Sequence, residues 1–76
     1  MEKVVVVGGS GYVGSHVADS LSDEGYQVTI FDQTSSQWLR KDQTMIIGDI
    51  LDRDKLNTVI KGAKFVYNFA AIADLN

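Results

Sequence analysis

The sequence predicts an α/β protein: half of a doubly wound fold, with four parallel strands in the spatial order 3-2-1-4 and one helix on each face. Three observations carry this. An unbroken run of valines, Val4–Val7, leads straight into glycines spaced for a strand–turn–helix. Further on, apolar stretches of strand length alternate with stretches of helical period, in the order β-α-β-(loop)-β-α-β. That alternation is the signature of a parallel sheet, because each parallel crossover needs a connection long enough to hold a helix. Finally, Gly25 and Gly62 stand where the two helices must stop.

The elements follow in chain order. Lys3–Gly8 is β-branched throughout its centre and suits a central strand buried on both faces. Tyr12–Glu24 places Val13, Val17 and Leu21 on one helical face, with Ala18 beside them. Gln27–Asp32 is the second strand. Gln33–Gln43 is polar and aperiodic, so a loop is expected, with one helical turn around Trp38 as its anchor. Thr44–Gly48 is the third strand. Asp52 then offers an N-cap, and Leu51 and Leu56 are spaced for a hydrophobic staple. Leu56, Val59 and Ile60 form the buried stripe of this second helix. Lys64–Ala70 is the fourth strand, with Tyr67 and Phe69 expected in the sheet core. Right-handed crossovers running in opposite directions put the two helices on opposite faces and a switch point between strands one and four.

Bulk properties narrow the function. Seventy-six residues make one small domain at most, and a chain of that size buries only about 60% of its unfolded surface. The net charge of −3 argues against nucleic acid and anionic membranes as partners. The chain has no cysteine, hence no disulfide framework or thiolate metal site, in keeping with a reducing compartment. No apolar run approaches the ~20 residues of a membrane span, and the start is too short and glycine-interrupted for a signal peptide. A cytoplasmic protein is expected.

The glycines carry the chemistry. Gly9, Gly11 and Gly14 fit G-x-G-x-x-G, and Gly8, Gly11 and Gly14 fit G-x-x-G-x-x-G. Placed between a strand and a helix, such spacing serves a pyrophosphate. One glycine makes the tight turn, Gly11 lets the backbone come close, and Gly14 lets the helix pack near the strand. The free N–H groups of the first helical turn then face the anion, aided by the helix dipole. Asp32, at the end of strand two, can accept both hydroxyls of an adenosine ribose and would repel a 2′-phosphate, so NAD is favoured over NADP. Arg40 and Lys41 keep a 2′-phosphate in play. A ligand-free glycine turn and a solvated Asp32 are the plainer alternatives.

These residues resemble the extended short-chain dehydrogenases, the NAD-dependent sugar-nucleotide epimerases and dehydratases. "VVGGSGYVGSH" is similar to the opening of that family. "GDILD", Gly48–Asp52, resembles its motif after strand three, and "VYNFAA", Val66–Ala71, its motif after strand four. Asn68 stands where the family usually has His, and Val7 where Thr is common. The resemblance implies a Rossmann fold whose phosphate loop is Gly8, Gly11 and Gly14, with Tyr12 and Val13 supplying N–H groups. It implies Asp32 at the ribose, Asp49 and Ile50 at the adenine, and Ala70 and Ala71 along the path toward the nicotinamide ribose. It covers the whole chain but only about the first quarter of such an enzyme. The expectation is therefore a truncated dinucleotide-binding domain over 1–76 with no substrate domain.

The family's catalytic Tyr-x-x-x-Lys pair is missing: Tyr12, Tyr26 and Tyr67 are followed four residues on by His16, Ile30 and Ala71. No lysine is therefore placed to lower a tyrosine pKa, and the chain alone is expected to be inactive. His16 reads as a surface or adenine-side helix residue. Asp49, Asp52 and Asp54 read as an adenine contact, a cap and first-turn charge rather than a metal cluster. Two other roles compete with that of an NAD-binding fragment of an isomerase-type enzyme. One is a stand-alone or designed minimal module for folding or NAD sensing. The other is assembly, since uncovered sheet faces and an apolar strand-four edge invite a homodimer.

Overall fold

In a computed structural model of the protein, residues 1–70 are described. The elements are β1 (Lys3–Val7), α1 (Tyr12–Asp23), β2 (Gln27–Asp32), β3 (Gln43–Ile47), α2 (Arg53–Ile60) and β4 (Phe65–Asn68). All pairings are parallel and the sheet order is β3-β2-β1-β4, as the crossover rule requires. Val4 pairs with Val28 on one side and Phe65 on the other, which fixes the register of β2, β1 and β4.

The alternation of β1 divides the core. Val6 joins Val28, Ile30 and Ala18 beneath α1, while Val5 and Val7 join Phe31 and Val59 beneath α2. Each helix thus covers its own face of the sheet. Val4, Val5 and Val6 are fully buried, which explains why a run with no polar alternation is stable as a strand.

The helices end as their glycines dictate. Gly25 and Gly62 take the left-handed φ values of +96° and +79°, a region costly to any residue with a Cβ. The Asp52 side chain accepts a hydrogen bond from the Lys55 N–H at 3.1 Å, a true N-cap.

Four details differ from the sequence reading. The packed face of α1 is Gly14, Ser15 and Ala18, whereas Val13 is 60% exposed. Close approach of α1 to β1 needs small side chains, so the larger valine is turned outward. Leu51 is 78% exposed and forms no staple; the turn before α2 is closed by Asp49 instead, which accepts from the Leu51 N–H at 2.9 Å. Trp38 sits in a plain turn rather than a helical one. Tyr67 and Phe69 are partly exposed, because β4 is an edge strand and α1 packs over β1 and β2.

The long loop is held by a network no motif announced. The buried Gln43 side chain donates to Asp19 Oδ1 at 2.9 Å and Ser22 Oγ at 3.1 Å, and accepts from the Arg40 N–H. Arg40 pairs with Asp23 at 2.9 Å and Asp42 at 3.3 Å. The hydrogen bond to Asp23 raises the guanidinium pKa further. Among the described residues no buried side-chain nitrogen or oxygen lacks a partner.

Candidate functional site

The site begins where β1 stops. Gly8 turns the chain with φ +78°, and a Cβ there would lie 2.5 Å from the Ala70 nitrogen and 2.7 Å from the Phe69 carbonyl carbon. The backbones that leave β1 and β4 therefore touch at the switch point. The contact is locked by the Phe69 N–H donating to the Val7 carbonyl at 2.7 Å and the Ala70 N–H donating to Asn68 Oδ1 at 2.9 Å. Asn68, which stands where the resembled family usually has His, holds this end of β4.

Gly14 makes the second close approach: its Cβ would meet the Gly8 carbonyl oxygen at 2.5 Å and the Gly9 Cα at 2.8 Å. Gly11 is different. It is the N-cap of α1 in extended conformation, φ −76°, and the nearest protein atom to a Cβ there is 3.8 Å away. Nothing among the described residues requires glycine at Gly11, which leaves room there for a ligand's close approach.

The start of α1 is left electropositive. Gly11 offers no side-chain cap and the first turn holds no acidic residue. The first N–H groups of a helix, here those of Tyr12, Val13 and Gly14, have no acceptors within the helix. Donors without partners at the positive end of a helix dipole are suited to a phosphate-type anion.

Asp32 stands across the turn. Its Oδ2 accepts from the Ser10 N–H at 3.1 Å and its Oδ1 from the Gln33 N–H at 2.7 Å. Each oxygen keeps a second lone pair for a further donor. Beside it lies a cleft of about 290 Å³, lined by the predicted Gly8, Asp32, Ile50 and Ala70 together with Val7, Phe31, Gln33, Thr34 and Gly48. Among the described residues no lysine or arginine lines it.

The predicted residues thus fall into two adjoining groups. Gly8 joins them, Gly11, Tyr12, Val13 and Gly14 form the helix-end group, and Asp32, Ile50 and Ala70 form the cleft group. Asp49 is exposed, does not line the cleft, and accepts from the Leu51 N–H. Ala71 lies outside the described residues. Gln33 and Thr34 were missed because polar loop residues carry no periodic signal. Gly48 was read as a strand end and as the first residue of the motif after strand three, with no contact of its own assigned. A Cβ at Gly48 would lie 2.6 Å from the Phe31 ring, so its glycine opens the cleft wall. The Tyr12 ring meets His16 edge-on at 4.5 Å and Trp38 at 6.3 Å, which places His16 on the outer surface of α1.

A parallel sheet in this order, with a glycine-rich turn at its switch point and an acidic residue ending the second strand, defines a Rossmann-type unit. The chain belongs to the NAD dependent epimerase/dehydratase family, whose model matches residues 4–76. It is 36% identical to a UDP-glucose 4-epimerase of Rhizobium meliloti over 76 residues, 95% of this chain and 23% of that protein. It is 34% identical to a 3-beta-hydroxysteroid dehydrogenase of Mycolicibacterium neoaurum, over 96% of this chain and 20% of that protein. Among solved structures, UDP-glucose 4-epimerase from Brucella ovis in complex with NAD superposes with a TM-score of 0.85 at 33% identity, over 93% of this chain and 23% of that one. The chain thus resembles the N-terminal part of such enzymes and spans about a fifth to a quarter of their length.

Proposed function

We propose that this chain binds the adenosine diphosphate half of NAD as the cofactor-binding part of an epimerase-like enzyme. The observation that carries the reading is Gly11, where a Cβ would meet nothing closer than an ordinary 3.8 Å contact among the described residues, at the uncapped start of α1. In this reading the pyrophosphate rests on the N–H groups of Tyr12, Val13 and Gly14, and Asp32 accepts the ribose hydroxyls. Ile50 packs against the adenine from the cleft wall, Asp49 serves its amino group from the rim, and Ala70 with Ala71 leads toward the nicotinamide ribose. The cleft's volume of about 290 Å³, just under the roughly 300–1,000 Å³ of ligand pockets, suits part of a dinucleotide rather than the whole.

NAD is preferred over NADP. A 2′-phosphate would meet the Asp32 carboxylate in a cleft that no cation among the described residues lines, while Arg40 is engaged with Asp23 and Asp42. Bound NAD supplies a hydride acceptor and donor. This chain's residues contribute binding and orientation, and none of its tyrosines has the lysine partner needed for proton transfer. Relatives named for a UDP-sugar and for a steroid match at 36% and 34% identity. What they share with this chain is accordingly read as cofactor binding, and the nucleotide-sugar substrate rests on the epimerase likeness of the structures. The absence of cysteine and the net charge of −3 favour a cytoplasmic protein that avoids nucleic acid and anionic membranes. No helix among the described residues is long and apolar enough to cross a membrane.

The test is a titration with NAD followed by thermal unfolding. Ligand at 100 times its dissociation constant should add ~2.7 kcal/mol of stability. Asp32→Ala should weaken NAD roughly 10- to 100-fold, the value of a charge-assisted hydrogen bond of about 1.5–3 kcal/mol. No thermal shift at millimolar NAD would overturn the reading.

Self-association belongs to the same proposal. Every residue of β4 is exposed, including Phe65, Val66 and Tyr67, and among the described residues one edge of that strand is unpaired. Apolar, open edges recruit a further strand, and a second copy presents the same edge. Sedimentation should give twice the 8.3 kDa chain mass, and Val66→Lys should return the monomer. A monomer at millimolar concentration would refute this.

A further inference from the structure

Ser10 is the one residue of the glycine turn with a side chain that reaches the loop after β2. Its hydroxyl donates to the Thr34 carbonyl at 2.6 Å, while its backbone N–H donates to Asp32 Oδ2 at 3.1 Å. Gln33 closes the arrangement from the other side, its N–H donating to Asp32 Oδ1 at 2.7 Å. Among the described residues the Ser10 hydroxyl is the sole hydrogen-bond donor to the Thr34 carbonyl. Asp32, Gln33 and Thr34 are consecutive residues of the cleft lining.

We propose that Ser10 is a positioning residue that sets cofactor choice: its hydroxyl clamps Gln33 and Thr34 across the end of Asp32, so that the rim accepts a bare ribose hydroxyl and excludes a 2′-phosphate. The inference rests on the NAD reading above and adds a residue to it. The clamp works in two ways. It steadies the loop that carries the Gln33 N–H, one of the two backbone donors, with the Ser10 N–H, that keep the Asp32 carboxylate facing the cleft. It also denies a 2′-phosphate the exit it would need, because Gln33 and Thr34 cannot swing outward while the Thr34 carbonyl is held. The rest of the loop is fixed separately, by Gln43 and Arg40 on α1, so freeing Thr34 loosens the rim alone.

Ser10→Ala removes the hydroxyl and keeps the backbone N–H on Asp32. In the 76-residue chain it should weaken NAD about 3- to 10-fold, the value of one neutral hydrogen bond. NADP should weaken less or tighten, so that the ratio of the two dissociation constants narrows. Ser10→Thr, which keeps the hydroxyl, should restore the original ratio. Without any cofactor, amide hydrogen exchange of Gln33–Ser36 should speed up in Ser10→Ala, with the amides of α2 unchanged. If both cofactors weaken equally, or the ratio and the exchange stay as they are, the clamp is overturned while the NAD reading stands. If the unsubstituted chain binds neither cofactor, the NAD reading itself fails and the specificity role fails with it.

Discussion

Gly8→Ala should cost this chain roughly 2–5 kcal/mol of stability, whereas Gly11→Ala should leave stability nearly unchanged and lower NAD affinity instead. At Gly8 two effects add. The φ of +78° costs an L-residue about 1–2 kcal/mol. The new methyl would also sit 2.5 Å from the Ala70 nitrogen, and both collision partners are backbone atoms that cannot rotate away. Overpacking of this sort costs about 1–3 kcal/mol more. The harm falls on the β1–β4 seam, so NAD binding should fail along with folding. At Gly11 the φ of −76° is open to any residue and the nearest protein atom is 3.8 Å off. Urea denaturation of both variants, with an NAD titration of the folded one, separates a glycine required by the fold from one required by a ligand. A Gly11→Ala chain that binds NAD as before would remove the pyrophosphate from this turn.

Phe31→Ala should be the most damaging single truncation, at about 3–5 kcal/mol. Phe31 is fully buried and packs with Val5, Val7 and Val59 beneath α2. A chain of this length has roughly 4–11 kcal/mol of total stability by the usual per-residue range, so the loss takes a large share of it. The side chain also floors the cleft, and the void it leaves would merge with the cleft and admit water. Circular dichroism melts should show a depressed or absent transition. A change below ~1 kcal/mol would mean that Gly48 and its neighbours collapse into the void.

The strands, their order and both helix stops were legible in the sequence because each rests on a local rule. Valines without alternation need burial on both faces; Gly25 and Gly62 satisfy a left-handed requirement; Asp52 sits one residue ahead of its helix. The dinucleotide-type turn was legible for the same reason, as its glycine spacing encodes backbone contacts between near neighbours. What escaped is non-local. Val13 was assigned to the packed face of α1 by periodicity, but the distance between α1 and β1 is set by Gly14 and Ala18, which only three-dimensional packing reveals. Tyr67 and Phe69 look like core residues by composition and are exposed because the helices pack chiefly over β1 and β2 rather than over the edge strand β4. Gln43, Ser10 and Thr34 bind partners more than twenty residues away, and single polar residues in a loop give no pattern from which to foresee them.

The register of β1 has a consequence for how the protein is made. Val4 pairs with Val28, yet also with Phe65, which is synthesised 61 residues later than Val4. At roughly 5–20 residues per second, the central strand waits on the order of 3–12 s for its last neighbour to be synthesised. During that interval four consecutive valines have one bare edge or two. The nascent chain is therefore a natural client for chaperones that shield short apolar segments, and its yield in a cell should depend on them more than the stability of the finished fold would suggest.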